Sequence, residues 1–355
     1  MGLARTAKLG LLRTLQYSGV NGLVHRSKWR SQHLLILCYH GVSMEDEEAW
    51  RPGLFVPLPI FRARMEALRR RRCTVLPFQE AMERLALDDL PPRAVTLTFD
   101  DGFHNYYALA APVLAELGLP ATLYLTTYYV DHQIPVWNLA VDYLLWKHCA
   151  SGRRIGAELG LTEATVLDGP EAARRVSQRL ARLAEPLSGA LKDQLLARLA
   201  GTLGVDYAAF CRERRFHLMT PAEVRELAAR PGFRFELHTH RHCAPRDERR
   251  FRREIRENRD RVAALTGTAP AHFCYPSGEY DPAFLPWLRD EGVQSATTCD
   301  PALAAPSGDL FRLPRLLDWS GLTPIEFDAW LCGSGHMVQR LAPSRAGAAS
   351  PDLPS

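Results

Sequence analysis

Val95-Thr96-Leu97-Thr98-Phe99-Asp100-Asp101-Gly102 is an apolar, β-branched run that ends in two carboxylates and a glycine. Valine and threonine favour an extended backbone, and a short apolar run bounded by turn residues reads as a buried strand of a parallel sheet. Sheets of that kind gather their active sites at the carboxyl ends of the strands. In a continuing strand Asp100 and Asp101 would face opposite sides, and Gly102 permits the sharp turn that brings both carboxylates to one mouth. Alone, this ending is better explained by a surface turn. A second strand-like run, Phe235-Glu236-Leu237, changes the reading, because it ends in His238-Thr239-His240-Arg241-His242, three histidines within five positions. Imidazole is a common zinc ligand, and a catalytic zinc takes three protein N or O ligands and leaves one position open. An aspartate from the first strand end and two histidines from the second would supply that set.

Thr98-Phe99-Asp100-Asp101-Gly102 followed by His238-Thr239-His240-Arg241-His242 resembles the first two motifs of the polysaccharide deacetylases, the NodB-homology group of carbohydrate esterase family 4. Phe273-Cys274-Tyr275-Pro276-Ser277-Gly278-Glu279-Tyr280-Asp281 is similar to the third motif of that family. Leu37-Cys38-Tyr39-His40-Gly41-Val42 and Phe311-Arg312-Leu313-Pro314-Arg315 are similar to segments of bacterial members. The resemblance covers roughly residues 33 to 330, with one long interruption. It implies an α/β fold, a distorted (β/α)7 barrel of the TIM-like type, with a bound divalent metal and removal of N-acetyl or O-acetyl groups from a glycan.

Composition sets the outer bounds. With 355 residues, 46% hydrophobic and 24% charged, the chain has the make-up of a globular protein large enough for one barrel with an insertion. A net charge of +4 is small for this length, and Arg69 to Arg72 reads as a solvated helix face, so no nucleic-acid partner is expected. The eight cysteines show no Cys-x-x-Cys and no framework spacing, which suits free thiols in a reducing compartment. Cys243 and Cys274, which flank the proposed site, read as small buried side chains. No run of about 18 apolar residues marks a spanning helix.

The organisation follows from punctuation and periodicity. Residues 1–32 form a basic amphipathic segment, suited either to the inner membrane surface or to packing on the barrel. The barrel is expected over 33–136 and 217–335, with helices around Phe61-Met65-Leu68, Phe78-Met82-Leu85 and Tyr107–Leu117, and strands at 33–39, 121–126, 271–275 and 293–298. Residues 137–216 carry Ala-, Leu- and Arg-rich helical patterns without strong strands and read as a helical insertion at the mouth, with Tyr128, Tyr129 and Trp137 at its root. Thr220-Pro221-Ala222-Glu223 has the form of a capping box. The Ala-, Pro- and Ser-rich residues 342–355 read as a disordered tail.

By the resemblance, Asp101, His238 and His242 are the metal ligands and Asp100 is the general base, with Ser277 N–H after Pro276 stabilising the oxyanion beside Tyr275. The donor set suits Zn²⁺ and also accepts Co²⁺, Mn²⁺ or Ni²⁺. Two positions depart from the family. Cys274 stands where an arginine normally tethers the base, and Arg315 is the candidate substitute. Leu316-Leu317-Asp318 stands where Leu-x-His is usual, so the general acid is open: His40 is the first candidate, with His240 and His104 behind it. The partner is an acetylated glycan, with no protein partner expected, and the location is cytoplasmic or peripheral on the inner membrane face. Two other functions fit part of the pattern. A glycoside hydrolase needs paired carboxyls roughly 5 to 9.5 Å apart, and a carbohydrate-binding or assembly protein could retain the metal site without catalysis.

Overall fold

The computed structural model describes residues 3–341, so the expected tail at 342–355 lies outside the described residues. Seven strands, β1 (Leu35–Tyr39), β2 (Ala94–Asp101), β3 (Ala121–Leu125), β4 (Phe233–Leu237), β5 (His272–Cys274), β6 (Ser295–Thr297) and β7 (Leu316–Leu317), lie in the spatial order β6-β5-β4-β3-β2-β1-β7, every pair parallel. A two-residue strand, Thr74–Val75, adds to the start of β2. This is the distorted (β/α)7 barrel. Its seam is thin: Leu313 exchanges backbone hydrogen bonds with Ala296 and Thr298 next to β6, while Leu316 and Leu317 pair with Leu37 and Cys38 of β1.

Alternation along the strands explains both faces of the wall. In β2, Val95, Leu97 and Phe99 join the main apolar cluster, whereas Thr96, Thr98 and Asp100 are buried polar groups on the opposite face. Helices Leu58–Arg70 and Ala111–Leu117 cover the apolar side through Phe61, Met65, Leu68 and Leu114. Helix Phe78–Ala86 packs against the starts of β1 and β2, through Phe78, Met82 and Leu85 on Leu34, Ile36 and Ala94. There Phe78 meets Tyr124 and His272, and the His272 ring bonds Gln79 and Ser295.

Residues 137–216 contain helices Trp137–Lys147, Pro170–Ala184, Gly189–Thr202 and Tyr207–Glu213, together with an antiparallel pair at 154–155 and 165–166. Tyr143, Val176, Leu180, Leu199 and Phe216 from this region belong to the same apolar cluster as the barrel wall, so the segment shares the core. At the other end, helix Leu3–Tyr17 packs Leu12 against Ala329 and Val338, and Arg5 and Lys8 lie 3.8 and 3.7 Å from Glu326. The capping box at Thr220 and Glu223 is present and opens helix Pro221–Ala228.

Candidate active site

The site is built where β1, β2, β4 and β5 end. The strand registers bring Asp101 beside Leu125 and Leu125 beside Leu237, so His238, one residue on, rises next to Asp101. His238 Nε2 and His242 Nε2 lie 3.3 and 3.2 Å from the same oxygen, Asp101 Oδ1. The three donor atoms lie within 4.8 Å of one another. The His238 ring is fixed from behind: Nδ1 donates to the Cys274 carbonyl at 2.9 Å, which leaves Nε2 facing Asp101. Burial works against charge on Asp101, but the two imidazoles hold its carboxyl down to about 2. One carboxylate and two imidazoles, donors of the kind that could hold a metal ion, therefore face one another at the mouth.

The backbone is bent to achieve this. Asp101, Thr239, His242 and Ser277 all have positive φ, between 56 and 68°, and they account for four of the nine non-glycine residues of that kind among those described. Such conformations cost free energy and are retained where the surroundings over-determine them. The turn that was expected at Gly102 begins one residue earlier, in Asp101 itself. Gly102 follows at φ 98°, where a Cβ would also meet Leu125 Cδ1 at 2.3 Å. Thr239 caps the loop by accepting the Cys243 N–H at 3.1 Å.

Asp100 has a different setting. It is 2% exposed, and Arg315, fully buried, clamps it with Nη1 to Oδ1 at 2.7 Å and Nη2 to Oδ2 at 2.8 Å. Arg315 is itself held by the Thr298 carbonyl at 2.9 Å and by Thr98 Oγ1 at 3.3 Å. Burial alone would raise the Asp100 carboxyl, yet the guanidinium charge and its two hydrogen bonds hold it well below the usual carboxylate range. His40 Nε2 lies 3.8 Å from Asp100 Oδ2, and its Nδ1 is buried without a partner among the described residues. His40, Asp100, Asp101, His238 and His242 line one cleft of about 770 Å³, which Trp137, Leu139 and Ala184 of the 137–216 region also line.

A sequence model of the family "Polysaccharide deacetylase" matches residues 88–179 and 192–296, more than half of the chain. The chain belongs to the polysaccharide deacetylase family. Among curated relatives of this family, "Putative polysaccharide deacetylase YxkH" of Bacillus subtilis (strain 168) is 34% identical over 101 residues, which is 28% of this chain. The match spans 34% of that relative's own length. Two solved structures share the fold. Streptococcus pyogenes deacetylase PplD, in complex with acetate, superposes with a TM-score of 0.54 at 16% identity, covering 82% of this chain and 95% of that one. IcaB from Ammonifex degensii does so with a TM-score of 0.54 at 18% identity, covering 86% and 97%.

Within this deacetylase-family barrel, the departures noted in the sequence find their places. Cys274 is buried 3.0 Å from Arg315 Nη2, so the guanidinium comes instead from the residue just before β7. Asp318 turns away from the cleft into the helix layer, bonded to Tyr39 Oη at 2.8 Å and 3.3 Å from Arg64 Nε, where burial pushes it up to about 6. His240 and His104 leave the site: His240 bonds Thr127 Oγ1 at 2.8 Å, and His104 faces Glu223 at 3.2 Å. Of the histidines considered as acids, only His40 faces the cleft. Cys243 is exposed rather than buried. Tyr275 and Ser277 line the cleft beside Pro276, and the N–H groups of Gly278 and Glu279 are committed to Tyr275 O and Pro276 O, which leaves that of Ser277. Of the aromatic trio at 128–137, Tyr129 and Trp137 line the cleft, while Tyr128 stacks on His132.

Asn258, absent from the sequence reading, ties the site together. From helix Glu248–Thr266 it accepts the His238 N–H at 3.0 Å and donates to Leu125 O at 2.8 Å and Thr127 Oγ1 at 3.1 Å. The signal was available: Phe251, Ile255, Asn258, Val262 and Leu265 fall on one helical stripe, and a lone polar residue on an apolar stripe is the informative one.

Proposed function

We propose that this protein is a metal-dependent hydrolase that removes N-acetyl or O-acetyl groups from a glycan. The observation that carries the reading is the contrast between adjacent carboxylates: Asp101 shares an open donor set with His238 and His242, while Asp100 beside it is held ionised by Arg315. A divalent cation held by Asp101, His238 and His242, Zn²⁺ by donor type, would supply Lewis acidity to an acetyl carbonyl and make water a nucleophile near neutral pH.

The chain's own groups divide the remaining work. Asp100 takes the proton of the attacking water, and Arg315 keeps its carboxylate aimed and charged until then. The Ser277 N–H donates to the carbonyl oxygen as negative charge develops there. His40, beside Asp100, delivers a proton to the departing amine or alkoxide. Tyr129 and Trp137, which line the same cleft, are the aromatic groups available to the sugar. A glycosidase needs one carboxyl kept protonated. Here both are held ionised, Asp101 at about 2 and Asp100 lower still, which weighs against that alternative.

The test is acetate release from an acetylated chitooligosaccharide by protein stripped of metal and reloaded with Zn²⁺ or Co²⁺, with Asp100→Asn alongside. Metal-dependent release, abolished by the substitution while one equivalent of metal still binds, is the expected result. Failure to bind metal would overturn the reading.

A further inference from the structure

Six arginines and lysines precede Glu45, the first acidic residue of the chain. The fold uses three of them internally. Arg5 and Lys8 face the buried Glu326, and the buried Arg30 donates to the carbonyls of Leu331, His33 and Ala94. Arg13, Arg26 and Lys28 are exposed, with no carboxylate partner among the described residues. The apolar side chains divide in the same way. Leu12 packs inward on Ala329 and Val338, whereas Tyr17, at the end of the first helix, is 87% exposed and Leu23, in helix Val20–His25, is 72% exposed. Helix Ser334–Leu341 packs against both of these helices and exposes Met337 and Arg340, three residues apart and so on one face. With Leu11, four of the ten large apolar side chains left exposed among the described residues gather in this corner, among four cations without a carboxylate partner. Single exposed leucines need no explanation, but a cluster of this kind does. Apolar side chains set among free cations are what a surface seated in the headgroups of an anionic bilayer presents. No described helix is long and apolar enough to cross a membrane, so contact through this corner is peripheral.

We propose that this corner docks the protein on a membrane rich in anionic lipid, with Tyr17 and Leu23 entering the boundary between headgroups and acyl chains and Arg13, Arg26, Lys28 and Arg340 meeting the lipid phosphates. Leu12 and Arg30 then serve as the anchors that hold the docking helices to the barrel. The place of the segment in the fold sets the direction of the cleft. Arg30 ties it to Ala94, the first residue of β2, and Asp101 closes the other end of that eight-residue strand. At about 3.3 Å per residue, docking surface and cleft are on the order of 25 Å apart. The docked protein therefore opens its cleft towards water, to a glycan standing off from the bilayer.

None of these residues lines the cleft, so the test needs no enzymatic readout. The full chain is sedimented with sucrose-loaded vesicles of phosphatidylcholine alone, or of phosphatidylcholine and phosphatidylglycerol in equal parts. The expected result is binding to the anionic vesicles that weakens as salt is raised, and little binding to the neutral ones. Tyr17→Glu and Leu23→Glu should each weaken binding about tenfold or more, with the urea midpoint unchanged because both positions are exposed. Arg26→Gln and Lys28→Gln should each weaken it about fivefold. Val166→Glu, at an exposed site in the 137–216 region, should bind like wild type. Tyr17→Trp should show fluorescence that brominated phosphatidylcholine in the anionic vesicles quenches beyond the wild-type background. No binding to anionic vesicles, equal binding to both kinds, or binding unmoved by Tyr17→Glu and Leu23→Glu would each overturn the proposal. A dimer in solution that Leu23→Glu converts to monomer, read by analytical ultracentrifugation, would assign the surface to a second copy of the chain and overturn it as well.

Discussion

Two arginine–carboxylate pairs in this chain have nearly the same fork geometry and opposite circumstances. Arg62 meets Glu116 on the outer helices with both bonds at 2.8 Å, and Arg315 meets Asp100 inside the barrel at 2.7 and 2.8 Å. The outer pair is 40% and 57% exposed; the inner pair is 0% and 2% exposed. Water already solvates the outer charges and leaves the pair little to contribute. Inside, neither charge has water to return to, so each depends on the other. Matching distances thus say little about what a pair does; the surroundings decide.

The largest effect expected on breaking the comparison is at Arg315. Arg315→Met leaves a buried carboxylate unpaired, which costs about 3–5 kcal/mol of stability, read from urea unfolding. The same substitution changes the pH behaviour. Asp100 is held low in the fold, so its pairing stabilises at all pH above its unfolded value of about 3.9 and is lost as pH falls through the lower folded value. Without the guanidinium, burial raises Asp100, and the acid limb of the kcat/KM profile should move to higher pH. An unmoved limb would mean that Asp100 does not accept the proton.

Next in size is Asp100→Asn, which keeps the shape of the inner pair and removes the base. Acetate release should fall about 10²- to 10⁴-fold, with one equivalent of zinc still bound by elemental analysis. Asn258→Ala loosens only the support of His238, and zinc affinity measured against a chromophoric chelator should weaken about 10- to 100-fold. Smallest is Arg62→Ala, for which the unfolding midpoint should stay within error of wild type. A clear drop there would show that geometry counts for more than the contrast allows.

Much of this site was legible because its chemistry is concentrated at strand ends. Asp100, Asp101, His238 and His242 sit in two short stretches whose residue types have few other joint uses. Arg315 was legible through an absence, the missing arginine at 274. Elsewhere the signal was too short or too dispersed. β7 is two residues long, below the length at which alternation can be read. Cys299 belongs to no motif and meets Arg315 at the cleft only through the fold. The positive φ at Asp101 could not be assigned from sequence while Gly102 stood next to it as the more permissive residue.

The thin seam of the barrel has a consequence for biosynthesis. Arg315 lies 215 residues after Asp100 and enters the barrel on the segment that bridges β6 to β1. In a nascent chain, the groups that position Asp101, His238 and His242, including Asn258 and the Cys274 carbonyl, are all present once residue 274 has been made. That chain cannot compensate Asp100 until the last strand docks. A product truncated shortly before residue 315 would therefore carry an unpaired carboxylate in its interior.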